Sequence, residues 1–90
     1  MSSDPLWKRL RSVNWGADGI SPEHGKELSK LLQDLAAKKE ARAMKASQKL
    51  WSFMRANPSV CGPVRPYLEE IRDISEPAVK DEINDLLNLG

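Results

Sequence analysis

The sequence has very few of the residues that build metal sites and disulfides, and it has no segment suited to a membrane. One cysteine and one histidine occur among 90 residues, which excludes an internal disulfide and a zinc site built from these ligands. No apolar run approaches the roughly 18 residues of a membrane span. No apolar segment follows the first basic residues, so we expect no secretory leader. These absences favour a cytoplasmic protein with no cofactor, no metal and no membrane partner.

Strand signals are also missing, because no stretch alternates between apolar and polar residues and β-branched residues are scattered. At 10.1 kDa, with 40% hydrophobic and 30% charged residues, the chain has the size of one small domain. The sequence therefore predicts a single all-α domain over residues 1–90.

Proline and capping residues predict about five helices. Asp4-Pro5 begins the first, Ser21-Pro22 begins the second, and Glu76-Pro77 begins the fifth, because proline fits the first helical position after an N-cap. We expect a break between Ala36 and Glu40, since an unbroken helix from Pro22 to Arg55 would be about 50 Å long and could not fold back on a core. The third helix ends before Pro58, and Cys61-Gly62-Pro63 is either a loop or the first turn of the fourth.

Apolar residues recur at helical spacing and predict the buried faces. We expect the second helix to pair with the third and the fourth with the fifth as antiparallel hairpins, stacked in the right-handed manner of HEAT or armadillo repeats. Trp7 and Trp51 lie on these stripes, so we expect them in the core. The predicted stripes are Leu6, Trp7 and Leu10; Leu28, Leu31, Leu32 and Leu35; Ala43 or Met44, Ser47, Leu50, Trp51 and Met54; Val64, Tyr67, Leu68, Ile71 and Ile74; and Val79, Ile83, Leu86 and Leu87.

The formal charge of +1 conceals a strong asymmetry. Up to Arg55 there are 11 basic and 6 acidic residues, or +5, whereas from Ala56 onward there are 3 basic and 7 acidic residues, or −4. The acidic half is either an ordinary solvated surface or a docking face for a basic partner. Trp15, in the Asn14-Trp15-Gly16 loop, is the tryptophan most free to face a partner, and the alternative is that it covers the thin core. The candidate partner-binding residues are Trp15, Glu69, Glu70, Asp73, Glu76, Asp81, Glu82 and Asp85.

Other functions have weaker signals. Lys38, Arg42, Lys45 and Lys49 form a basic ridge along the third helix that could track nucleic-acid phosphates. His24 and Cys61 could form a nucleophile–base pair, but no residue in the sequence orients the base. The acidic residues lack the Glu-x-x-His pattern of di-metal helical sites. We therefore expect a binding protein rather than an enzyme, with nucleic-acid binding or a generic adaptor role as alternatives.

The order of these segments resembles a family of small bacterial HEAT-like proteins. The resemblance rests on the segment from Trp7 to Trp15, the leucine helix 28–35, the segment from Ala46 to Trp51, and the segment from Val64 to Ile71. The family usually has a polar His-Gln-Gly-Thr-like turn where this chain has Asn57 to Cys61.

Many members of this family are immunity proteins encoded beside secreted or contact-delivered bacterial toxins. The resemblance implies that this chain forms a cytoplasmic heterodimer with a cognate toxin domain, such as a nuclease, and blocks its active site. It also implies a HEAT-like fold and a role in contact-dependent growth inhibition.

Overall fold

A computed structural model describes residues 5–37 and 39–89, with side chains from residue 8 onward. These residues form five α-helices joined by short segments and contain no strand, so the predicted all-α fold is confirmed. Two 3-10 turns, Trp15–Asp18 and Pro58–Val60, lie between helices. The helices are α1 (Pro5–Arg11), α2 (Pro22–Ala36), α3 (Glu40–Ala56), α4 (Cys61–Ile74) and α5 (Pro77–Leu87). None of the helices in these residues is long and apolar enough to cross a bilayer.

The hairpin of α2 and α3 begins and turns where the sequence predicts. The Ser21 hydroxyl accepts a hydrogen bond from the His24 backbone N–H at 3.3 Å, and Pro22 follows as the first helical residue. Ala37 and Lys39 both have extended backbones, with ψ of 146° and 112°. The break between α2 and α3 is therefore confirmed, and it allows α3 to return along α2.

The proline-rich connection from α3 to α4 is compact. The Asn57 side-chain amide donates to the Phe53 carbonyl at 3.1 Å and closes α3. The 3-10 turn that follows leads directly into α4, which includes Pro63 in its first turn and Pro66 in its interior. The segment Cys61-Gly62-Pro63 is thus the first turn of a helix, the second of the two conformations that the sequence leaves open.

Contacts between helices fix their relative directions. Arg65 contacts Leu87 and Arg72 contacts Asn84, so α4 and α5 are antiparallel. Similarly, His24 near the start of α2 stacks on Phe53 near the end of α3. The two hairpins lie side by side, with α3 against α5 and α2 against α4, while α1 packs on α2. The described residues measure 31 × 30 × 18 Å, so nearly every helix has one solvent-facing side.

The buried core confirms most of the predicted apolar stripes but corrects two positions. Trp51 is 40% exposed and Ile74 is 59% exposed, because each lies at the edge of its stripe, where no neighbouring helix covers it. Tyr67 and Leu87 are partly buried. The predictions for Asp4, Lys38, Gly90 and the side chains of Leu6 and Trp7 lie outside the described residues. The largest fully buried side chains are Leu10, Leu28, Leu32, Leu35, Leu50, Met54, Val60, Val64, Leu68, Ile71, Ile83 and Leu86.

Candidate protein-binding surface

Five of the predicted acidic residues are exposed on α4 and α5 and at the joint between them. We call them the acidic face: Glu69, Asp73, Glu76, Asp81 and Asp85. On each helix two of these carboxylates are separated by four residues and so lie on one side, and the helices are adjacent and antiparallel. Among the described residues the only ion pair is elsewhere. The acidic face is therefore a concentration of solvated negative charge.

The arginines of this half of the chain are held by contacts between helices. The Arg65 guanidinium donates to the Leu87 carbonyl at 3.1 Å, and the Arg72 guanidinium donates to the Asn84 side-chain oxygen at 3.1 Å. Both arginines line a shallow cleft together with Glu69. The two arginines offset part of the negative charge of Glu69. Their hydrogen bonds also join α4 to α5, the two helices that carry the acidic face.

Glu70 is not part of the acidic face, because it is partly buried and paired with Arg9 of α1. Its Oε1 accepts a hydrogen bond from the Arg9 guanidinium at 2.7 Å, and Arg9 also lies 5.7 Å above the centre of the Tyr67 ring. The hydrogen bond and the charge of Glu70 raise the pKa of Arg9 above its ordinary value. Glu70 Oε2 is buried without a hydrogen-bond partner among the described residues. Glu70 thus connects α1 to α4, and its carboxylate is already engaged within the chain.

Glu82 lies at the seam between α3 and α5 and is partly buried. Its Oε1 is 3.3 Å from the hydroxyl of Ser47, which also contacts the Met44 carbonyl at 3.0 Å. Ser47 is the one buried polar residue among the described residues. The single hydroxyl proton of Ser47 is shared between the Met44 carbonyl and the Glu82 carboxylate, and this contact places the Glu82 carboxylate beside α3.

Trp15 is buried and so does not face a partner, and the structure confirms the alternative that this side chain covers the core. Its side chain is 5% exposed, because the 3-10 turn directs the indole inward against α2 and α4. The indole N–H donates to the Ser29 hydroxyl at 2.8 Å, and the ring packs edge-on against Tyr67 with centroids 5.7 Å apart. Trp15 therefore fastens the first loop to the core. A glycine inside an otherwise regular helix, Gly25, was the signal in the sequence that another group approaches α2 closely.

We expect Gly25→Ala to destabilise the protein although alanine favours helix. A Cβ at this position would lie 3.0 Å from Trp15 Cδ1, and the indole is held on its other sides. Overpacking costs about 1–3 kcal/mol and exceeds the helix-propensity gain of roughly 1 kcal/mol. Thermal unfolding followed by circular dichroism should show a lower Tm for this variant.

The matched control is Gly62→Ala in α4, where a Cβ would have no neighbour within 4 Å. The residue after it is Pro63, whose ring disfavours a helical backbone at a preceding residue that carries a Cβ, and this opposes the gain in helix propensity. We therefore expect this variant to change Tm less than Gly25→Ala does. Equal changes in Tm for the two variants would contradict the close packing of Trp15 on α2.

Trp51 is the surface residue that the sequence pattern misassigned. It is exposed on α3, and the Arg55 guanidinium lies 4.7 Å from the centre of its ring. The spacing of Trp51 and Arg55, four residues apart, is typical of a surface pair on a helix and could have indicated this exposure. Exposed tryptophans are enriched at the centres of protein interfaces.

The residues considered for catalysis have ordinary packing roles. His24 is exposed, and its ring packs edge-on against Phe53 with centroids 5.2 Å apart. The Cys61 thiol is partly buried and points to the Met54 carbonyl at 3.9 Å. In residues 5–37 and 39–89 no group of three or more His, Cys, Asp or Glu residues is placed to hold a metal ion. These contacts give no support to the considered nucleophile–base pair.

The basic ridge of α3 is exposed at Arg42, Lys45 and Lys49. Ser47, which faces α5, is two residues from both Lys45 and Lys49 in the sequence. Residues two apart on an α-helix point to different sides, so the basic ridge does not face α5. The structure thus separates the basic ridge from the acidic face.

Searches against protein-family models, curated proteins and solved structures find no match for this chain.

Proposed function

We propose that this chain is a bacterial immunity protein that binds a cognate toxin domain in the cytoplasm through its acidic face and blocks the toxin's active site. The resemblance to small HEAT-like proteins suggests the class of partner, and the two side-by-side hairpins are compatible with the right-handed stacking of such repeats. The observation that carries the proposal is the set of five exposed carboxylates on the α4–α5 hairpin.

The physical basis is complementarity of charge. Toxins that cleave or bind nucleic acid carry basic residues around their active sites to hold phosphates. An acidic surface can cover such residues, and its field also accelerates encounter. A stable interface buries about 800 Å² on each partner. Two adjacent helices, one of 14 residues and about 21 Å long, provide part of this area, so we expect the contact to continue onto a neighbouring helix.

The direct test is binding to the toxin domain encoded beside this gene. A large secreted protein with a variable C-terminal domain in the neighbouring reading frame is the expected partner, and its isolated C-terminal domain should co-purify with this chain. It should also lose its toxicity when this chain is co-expressed. Failure of such a domain to bind or to be neutralised would refute the immunity function.

Reversing two charges on α4 tests the role of the acidic face. We expect Glu69→Lys combined with Asp73→Lys to reduce the association rate with the toxin domain at least about tenfold at low salt and to flatten its salt dependence. Stopped-flow fluorescence at several ionic strengths measures both quantities. An unchanged association rate at low salt would remove the electrostatic part of the proposal.

The matched control is Lys45→Glu combined with Lys49→Glu on the basic ridge. This variant also reverses two charges, but in the opposite sense and on the side of α3 away from α5, so it should not slow association with a basic toxin.

The same variant tests the alternative function. If the chain binds duplex DNA or RNA with a steep salt dependence that this variant abolishes, nucleic-acid binding is favoured instead.

A further inference from the structure

A groove of about 310 Å³ lies between α3 and α5, at the edge of the acidic face, with which it shares Asp85. Its volume is at the lower end of the range for binding pockets, so it can take a side chain but not a folded element. The groove contains two carboxylates and an exposed indole but no basic residue. It is lined by Ser47, Gln48, Trp51, Ser52, Glu82, Asp85 and Leu86.

The aromatic wall of this groove already associates with a guanidinium within the chain. Trp51 lines the groove, and its ring carries Arg55 at 4.7 Å from the ring centre. Tryptophan is the side chain that attracts cations best, and arginine also stacks on it through its planar group. The contact with Arg55 therefore shows that this indole attracts a guanidinium, and an arginine of a partner must use the other face of the ring or displace Arg55.

The two carboxylates give the groove a charge that matches a cation. Ser47 holds Glu82 at the seam through its hydroxyl, 3.3 Å away. Asp85 is exposed and has no ion-pair partner among the described residues. A carboxylate placed beside an aromatic ring suits arginine better than lysine, because the guanidinium can form paired hydrogen bonds with the carboxylate while its plane stacks on the ring.

We propose that the α3–α5 groove is the receptor for an arginine side chain of a protein partner, held between Trp51 and the carboxylates of Glu82 and Asp85. This inference rests on the proposed function, since the arginine would belong to the toxin domain that the acidic face attracts. The groove extends the contact from α5 onto α3. This adds the neighbouring helix that an interface of about 800 Å² on each partner requires. Trp51 is then the anchor of the interface.

The test uses the peptide acetyl-Gly-Arg-Gly-amide and the full-length chain labelled with ¹⁵N. We expect saturable shifts of the Trp51 indole N–H and of the Asp85 amide in NMR titrations. The peptide with citrulline, which has nearly the same shape but no charge, should bind at least about tenfold more weakly, and the lysine peptide should also bind more weakly. Equal binding of the citrulline peptide, or shifts that do not include Trp51, would overturn the proposal.

Two matched pairs of substitutions separate the groove from general charge attraction. Glu82→Gln with Asp85→Asn should weaken binding of the arginine peptide at least about tenfold, which corresponds to roughly 1.4 kcal/mol. Asp18→Asn with Glu27→Gln removes the same charge at exposed residues that belong to neither the groove nor the acidic face, and it should change the affinity less than twofold. If both pairs weaken binding equally, the attraction is diffuse and the groove is not a receptor.

These peptide measurements need no toxin, so they can fail or succeed separately from the proposed function. Binding of the peptide in the groove without any neutralised toxin would retain the arginine receptor and refute the immunity role. If this chain neutralises a toxin, and Glu82→Gln with Asp85→Asn leaves that neutralisation unchanged, the immunity role is retained and the arginine receptor is refuted.

Discussion

Replacing Trp15 by alanine is expected to reduce the free energy of unfolding by about 3–5 kcal/mol, the range found when a large buried aromatic side chain is deleted. Trp15 is 5% exposed, and it joins the first loop to α2 through Ser29 and to α4 through Tyr67. Native domains are stable by only about 5–15 kcal/mol. The loss of Trp15 should therefore lower Tm by at least about 12 °C in a domain of this size.

Trp51→Ala is the matched control, because it deletes the same side chain from a position that is 40% exposed. We expect this variant to lose no more than about 2 kcal/mol, since most large losses come from cavities in the core. Urea unfolding followed by circular dichroism measures both variants with the same probe. A loss for Trp51→Ala as large as that for Trp15→Ala would contradict the positions of the two tryptophans.

Leu68→Ala in α4 should cost about 2–5 kcal/mol, because it removes a fully buried side chain and leaves a cavity. Leu68 is 0% exposed and lies on the side of α4 that packs into the core. The measurement is again the free energy of unfolding in urea. A change below about 1 kcal/mol would show that the surrounding helices close the cavity or that the α4 face is not packed as described.

The control for Leu68 is Ile74→Ala, which belongs to the same predicted apolar stripe. Ile74 is 59% exposed, so its truncation should change stability by no more than about 0.5 kcal/mol. Alanine also has the higher helix propensity, which offsets part of the lost contact. The contrast between the two positions on one helix measures where the core ends.

The structure divides the charged residues of the acidic half between contacts within the chain and the solvent-exposed surface. In the acidic half, Arg65 and Arg72 donate hydrogen bonds to α5, and Glu70 pairs with Arg9 of α1. The acidic face keeps its carboxylates solvated, whereas these arginines serve the contact between helices. The proposed partner therefore meets negative charge on two helices that are already joined to each other by hydrogen bonds.

The sequence alone determined the number of helices and most of their boundaries, and it left open only where α4 begins. Ser21-Pro22 places the start of α2, Pro58 limits α3, and the leucines of α2 define its buried side, because caps, prolines and helical spacing act locally. The break between α2 and α3 also followed from the sequence, because an unbroken helix from Pro22 to Arg55 would be too long, at about 50 Å, to fold back on a core. The exposure of the acidic residues other than Glu70 and Glu82 also followed from composition.

Only the tertiary structure decided which tryptophan is buried and which is exposed. Trp15 lies in a loop that contains two glycines, yet Gly25 from α2 and Tyr67 from α4 enclose it. Trp51 lies on an apolar stripe, yet α5 leaves its ring open beside Glu82 and Asp85. Burial depends on the elements that meet a residue from elsewhere in the chain, and helical periodicity describes only one helix at a time. The α3–α5 groove exists for the same reason, because its two walls are about 35 residues apart in the chain.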